Sequence, residues 1–159
     1  MVPADRIAWR IAPGDLADPA VIALLRAHID RAHIEHGSPH ALERDGLGAP
    51  GIRFWTVHAG DALAGCGALK PLSADHGEIK SMYTAEAWRR RGAGHAMLAH
   101  IVAVARGDGL ARLSLETGAL DYFRPAHALY ARHGFVDCAP FEGYVPDPNS
   151  RFMTLRLAV

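Results

Sequence analysis

Three strand-like segments follow one another, at 54–57, 62–69 and 78–84, before the chain turns to regular alternation of strand and helix. Meander strands joined to strand–helix units do not make an all-parallel doubly wound sheet, so the pattern predicts an α/β fold with a mixed central sheet and helices on both faces. Gly60-Asp61 sits between the first two segments as a hairpin turn. Before them, 7–11 alternates as an opening strand, and Asp18-Pro19 has the form of a helix N-cap followed by proline at the first helical position. The apolar face of that helix is predicted to be Ile22, Leu25, Ile29 and Ala32.

Downstream, Met97, Leu98, Ile101, Val102 and Ala105 recur at helical spacing and predict a second buried helix. Strands are then expected at 113–117, 135–138 and 152–157, with a helix at 125–133. A short helix is expected at 40–44, inside a stretch rich in Gly, Pro and charge.

The chain has 159 residues, half of them apolar, which is the size of one globular domain, 1–159, able to bury about two-thirds of its unfolded surface. Basic and acidic residues balance at 17 each, so no global charge draws the chain to nucleic acid or to an anionic membrane. The first six residues lack the basic-then-apolar pattern of a signal peptide, and the longest apolar run, at 97–105, is too short to span a bilayer. A cytoplasmic location follows as the expectation. Cys66 and Cys138 lie in strand-like apolar settings without CxxC spacing, which predicts buried thiols and neither a disulfide framework nor a zinc site.

Between the third strand and the second helix stands Arg89-Arg90-Arg91-Gly92-Ala93-Gly94. A basic, glycine-containing turn into a helix offers backbone N–H groups and a positive helix end to a phosphorylated ligand. Three nucleotide sites use such a turn. A Walker A loop requires lysine after its last glycine, and His95 follows Gly94 here. A dinucleotide fingerprint requires a third glycine where Met97 stands, and an early βαβ unit in place of a hairpin. A pyrophosphate cradle needs only small residues, N–H groups and flanking charge, all of which are present.

With the strand Glu78-Ile79-Lys80-Ser81-Met82-Tyr83 before it and Leu129-Tyr130-Ala131-Arg132-His133-Gly134-Phe135 after it, the turn resembles that of the GCN5-related N-acetyltransferase (GNAT) superfamily. Leu115-Glu116-Thr117-Gly118 extends the likeness to small bacterial members, and the resemblance covers most of residues 54–157. It implies a GNAT fold with about six to seven strands, splayed near the fourth.

The resemblance also implies a donor, acetyl-CoA, whose pyrophosphate lies on Arg91, Gly92, Ala93 and Gly94, with His95 next to them. Backbone groups of Met82 and Thr84, on either side of Tyr83, would pair with the pantetheine arm as an added strand. Met82 N–H is the candidate oxyanion donor, and Arg89 and Arg90 either reach the adenosine 3′-phosphate or solvate the turn.

Tyr130 takes the family's position for the acid that protonates the departing thiolate, because a phenol with pKa near 10 stays protonated at neutral pH. Packing beside Leu129 and Phe135 is its other reading. Glu78 and Glu116 are the candidate bases, each also able to pair with Lys80, Arg112 or Arg124.

The resemblance implies transfer of an acetyl group to a small-molecule amine, or to a peptide amine, by direct attack in a ternary complex. No metal is expected, since His28, His33, His36 and His40 lack the His-Glu-x-x-His pattern and have no clear third ligand. The proline-rich segment 144–150 either covers the acceptor, with Tyr144 as a wall, or is an ordinary hairpin connection. A homodimer is common among relatives. The alternative from another class is an acyl-CoA-binding sensor that keeps the phosphate turn without turnover.

Overall fold

The computed structural model describes residues 7–36 and 44–157, so the predicted helix start at 40–43 lies outside the described residues. Among the described residues, seven strands form one sheet: β1 (Trp9–Pro13), β2 (Arg53–Ala59), β3 (Ala62–Pro71), β4 (His76–Thr84), β5 (Arg112–Gly118), β6 (Val136–Asp137) and β7 (Ser150–Arg156). Their spatial order is β1-β2-β3-β4-β5-β7-β6. Only β4 and β5 are parallel, joined through helix α3 (Ala93–Gly107), and the other neighbours are antiparallel. This is the mixed sheet that the succession of segments predicts.

Helix α1 (Pro19–His36) begins as expected: Asp18 Oδ1 accepts from Ala20 N–H at 2.9 Å. Its buried face differs from the expected one. Val21, Leu24 and Leu25 are buried against Phe54, Cys66 and Ala68, whereas Ile22 and Ile29 are only half-buried. The helix is rotated because it packs over β3 and β4, and the residues that meet that surface begin at Val21. Helix α2 (Arg44–Leu47) adds Leu47 to the same cluster.

On the other face, α3 buries Met97, Leu98, Ile101, Val102 and Ala105 against Leu69, Ile79, Leu113, Leu115 and Met153. Each large apolar side chain buried there contributes roughly 1.5–3 kcal/mol. Helix α4 (Arg124–Arg132) contributes Tyr130 to this core. Helices therefore cover both faces, and the sheet between them carries the irregularities that shape the site.

The first irregularity is in β4. Lys80 pairs with Ala68 and Tyr83 with Cys66, so Ser81 and Met82 together oppose Gly67. Two residues against one make a β-bulge, and Ser81 has φ +55°. The bulge reverses the side-chain alternation. Met82 is thereby turned onto the α3 face, where a Cβ on Gly67 would lie 2.9 Å from its Sδ and 2.8 Å from Met97 Cγ. Gly67 is what lets the bulged strand and α3 approach so closely.

The second irregularity is the parallel ladder itself. It runs through His76–Arg112, Gly77–Leu113 and Glu78–Ser114, and stops there, although β4 continues to Thr84 and β5 to Gly118. Beyond Glu78 the two strands part.

Candidate active site

The basic turn stands at the top of this opening. A 3-10 turn (Glu86–Trp88) leads into it, Arg90 takes φ +64°, and Gly92 takes φ +99° as the N-cap of α3. The first bond of the helix ladder is Ala96 N–H to Gly92 O at 3.0 Å, so the N–H groups of Ala93, Gly94 and His95 point off the helix end. A Cβ on Gly94 would lie 3.2 Å from Leu129 and 3.7 Å from Thr84 Oγ1, which locates the turn between α4 and the end of β4. Three outward N–H groups, a helix dipole and neighbouring guanidiniums form a cradle that suits a diphosphate.

The three arginines take separate positions. Arg90 is exposed, and the Arg91 guanidinium lies 4.7 Å from the centre of the Trp88 ring, itself edge-on to Trp9 at 5.9 Å. Arg89 turns inward. Its guanidinium lies between the rings of Tyr83 (5.7 Å) and Tyr122 (5.6 Å), donates to the Tyr122 hydroxyl at 2.9 Å and approaches Thr84 O at 3.4 Å. Tyr122 belongs to the segment after β5, so Arg89 ties the two walls of the opening together. His95 Nδ1 lies 2.9 Å from His133 Nε2 at the end of α4.

Tyr130 is 5% exposed and packs edge-on to Phe135 at 5.7 Å, so the core contact expected of it is present. Burial first, and the Glu116 carboxylate second, push its phenol well above the ordinary value near 10. The group stays an O–H donor at any physiological pH. Glu116 is half-buried and accepts from Ser150 Oγ at 2.6 Å.

Glu78, 2% exposed, is the centre of a polar cluster on the face opposite α3. The Tyr144 hydroxyl donates to its Oε2 at 2.6 Å, and Lys80 Nζ lies 3.3 Å from the same oxygen while donating to the Tyr144 hydroxyl at 2.8 Å. Lys80 is the partner that the sequence offers this carboxylate. Tyr144 is the residue that sequence reasoning missed in this role, having been read as a cover or a plain connection. Burial, followed by the bond to Glu78, pushes its phenol far above its usual range. Phe141 and Phe152 hold its ring at 5.2 and 5.4 Å. The available signal was a tyrosine three residues after Phe141, at the start of an otherwise proline-rich loop.

Beside the cluster, His76 Nε2 lies 2.7 Å from Ser114 Oγ, which lies 2.9 Å from Thr154 Oγ1, forming a polar chain across β4, β5 and β7. His28 of α1 stacks 5.0 Å from Tyr83, and burial lowers its pKa to about 4. His33, His36 and His40 of the expected histidine cluster lie outside the described side chains. Both cysteines are free. Cys66 is 1% exposed, with burial pushing its thiol up to about 12, and Cys138 is half-buried.

Comparison with known proteins agrees with this geometry. The profile of the Acetyltransferase (GNAT) family matches residues 20–135. The uncharacterized N-acetyltransferase YedL of Escherichia coli K12 is 47% identical over 152 residues, spanning 94% of this chain and 95% of that protein. A Klebsiella pneumoniae protein classed as an acyl-CoA N-acyltransferase superposes with a TM-score of 0.77 at 27% identity, covering 96% of this chain and 100% of the other. The N-acetylglutamate synthase of Neisseria gonorrhoeae, solved with coenzyme A and N-acetyl-glutamate, superposes at 0.71 with 25% identity, covering 96% of this chain and 36% of that one. With the family profile matching residues 20–135, a relative at 47% identity across nearly the whole chain and a matching fold, the chain belongs to the GNAT family of acetyltransferases.

Proposed function

We propose that this acetyltransferase moves an acetyl group from acetyl-CoA to an amine by direct attack within a ternary complex. The observation that carries the reading is the parting of β4 from β5 beyond Glu78 and Ser114, directly below the outward N–H groups of α3. A linear donor with a diphosphate at one end and a thioester at the other matches those two features in order. The diphosphate would lie on Gly92, Ala93 and Gly94. The pantetheine arm would run along Met82, Tyr83 and Thr84 as a strand added to an edge that β5 has left.

At the reacting end, the Ser81–Met82 bulge re-aims the backbone, and Met82 N–H is the candidate donor to the thioester oxygen as negative charge develops there. The amine nitrogen forms a bond to the acetyl carbon while the carbon–sulfur bond breaks. The amine proton passes to Glu78, or to Glu116 as the second candidate, directly or through water. Tyr130 supplies a hydrogen bond and then a proton to the departing thiolate, and the proton taken up by the glutamate returns to the phenolate through water, restoring both groups. Burial keeps the hydroxyl protonated until the thiolate charge forms beside it.

A covalent route through cysteine is disfavoured by the same structure, because Cys66 is sealed in the α1 cluster and its thiol resists ionisation. The acceptor is a small-molecule amine or a peptide amine.

The test is CoA release from acetyl-CoA over a panel of amines, amino acids and peptide N-termini, with both substrates varied. Turnover with intersecting double-reciprocal plots supports direct transfer. Parallel plots would indicate an acyl-enzyme, and tight acetyl-CoA binding without turnover on any acceptor would indicate a sensor.

A further inference from the structure

We infer that Tyr144 is a positioning residue for Glu78, holding the carboxylate at the point where β4 leaves β5; this rests on the reading of Glu78 as the base. The loop that carries Tyr144 lies 66 residues from Glu78 in sequence, and the bond between them is 2.6 Å. A lone carboxylate at 2% exposure would be costly, and a hydroxyl and an ammonium on one of its oxygens make that burial tolerable.

Lys80 alone would satisfy charge. What Tyr144 adds is direction, because its ring is wedged against Phe141 and Phe152 and its hydroxyl has little freedom to follow a wandering carboxylate. The charged and polar groups that face Glu78 among the described residues are Lys80 and His76 on β4, Ser114 and Glu116 on β5, and Tyr144 on the loop. Of these, only Tyr144 comes from outside the sheet. Rearrangement of its loop on acceptor binding would therefore be felt directly at the carboxylate.

The proposal makes two measurable claims. Removing the Tyr144 hydroxyl withdraws a hydrogen bond that favours the charged form of the carboxylate, so the acidic limb of the rate profile moves to higher pH. Loss of orientation also lowers kcat without changing how the donor binds.

The experiment is a double-mutant cycle on the full chain with Tyr144→Phe and Glu78→Gln. Turnover is measured with acetyl-CoA and the fastest of phenylethylamine, putrescine and alanine amide, and the glutamate carboxyls are titrated by 13C NMR. Tyr144→Phe keeps the ring and removes one oxygen. Expected are a roughly tenfold fall in kcat with KM for acetyl-CoA unchanged, an upward shift of the acidic limb and of the Glu78 titration, and no further effect of Tyr144→Phe in the Glu78→Gln background.

Impaired Glu78→Gln with unimpaired Tyr144→Phe, or effects that simply multiply, would overturn the positioning role and leave the base assignment standing. Wild-type turnover by Glu78→Gln would remove the base itself and overturn both. If none of the three amines turns over, the NMR titration decides: an unmoved Glu78 signal in Tyr144→Phe overturns the role. If Tyr144→Phe does not fold, Phe141→Leu, which loosens the wedge on the Tyr144 ring and leaves its hydroxyl in place, is used in the same cycle: a fall in kcat that disappears in the Glu78→Gln background supports the role, and an unimpaired kcat overturns it.

Discussion

Glu78 and Ser114 form the last paired position between β4 and β5, and the strands part immediately beyond it. One residue of this pair faces the proposed reaction and the other anchors the sheet. Ser114 Oγ sits between His76 and Thr154, so Ser114→Ala strips a partner from two half-buried groups, of which Thr154 keeps its bond to Leu113 O. The expected cost is about 0.5–1.5 kcal/mol in a denaturant melt, with KM for acetyl-CoA unchanged.

Tyr130→Phe preserves the contact with Phe135 and removes only the proton donor. The prediction is a fall in kcat of about a hundredfold, at the low end for general-acid groups, with little change in KM for acetyl-CoA or in melting temperature. Rate constants and thermal melts of the two proteins check it. Unchanged kcat would leave Tyr130 as a core aromatic only.

Gly92→Ala tests the cradle. At φ +99° any side chain is strained, and the new methyl would lie 3.2 Å from Trp9 Nε1. The expected cost is about 1–2 kcal/mol of stability, with acetyl-CoA affinity, read by calorimetry, weakened about tenfold.

His28 gives the chain a pH-dependent stability. Unfolded imidazole takes up a proton near 6.5 and the folded one near 4, because burial disfavours the charged form. Between those values the unfolded chain binds more protons, so stability is intact above 6.5 and declines as pH falls toward 4. The loss is about 2–3 kcal/mol over that window. Urea melts from pH 7 to pH 4 measure it, and His28→Leu should flatten the slope.

Much of this architecture was legible in the amino-acid sequence for a physical reason. The stripe from Met97 to Ala105 and the meander before it are local periodicities, and Gly92 announces a turn because few residues other than glycine tolerate its φ. The rotation of α1 was less legible. Val21, Leu24 and Leu25 satisfy helical spacing as well as Ile22, Leu25 and Ile29 do, and only the surface of β3 and β4 chooses between them. The bulge had no local signal, since Ser81 takes φ +55° without being glycine.

The polar contacts at the site were the least readable. Arg89 sits in a basic run that reads as a phosphate site, yet its partners Tyr83 and Tyr122 come together only when the walls of the opening form. Glu78 and Tyr144 meet across 66 positions for the same reason.

A crystal structure with acetyl-CoA bound tests the account most directly. The diphosphate is expected on the N–H groups of Gly92, Ala93 and Gly94, the pantetheine paired along Met82 to Thr84, and the sulfur within reach of the Tyr130 hydroxyl. A donor whose diphosphate lies away from the α3 N-terminus, or whose thioester lies outside the gap between β4 and β5, would contradict it.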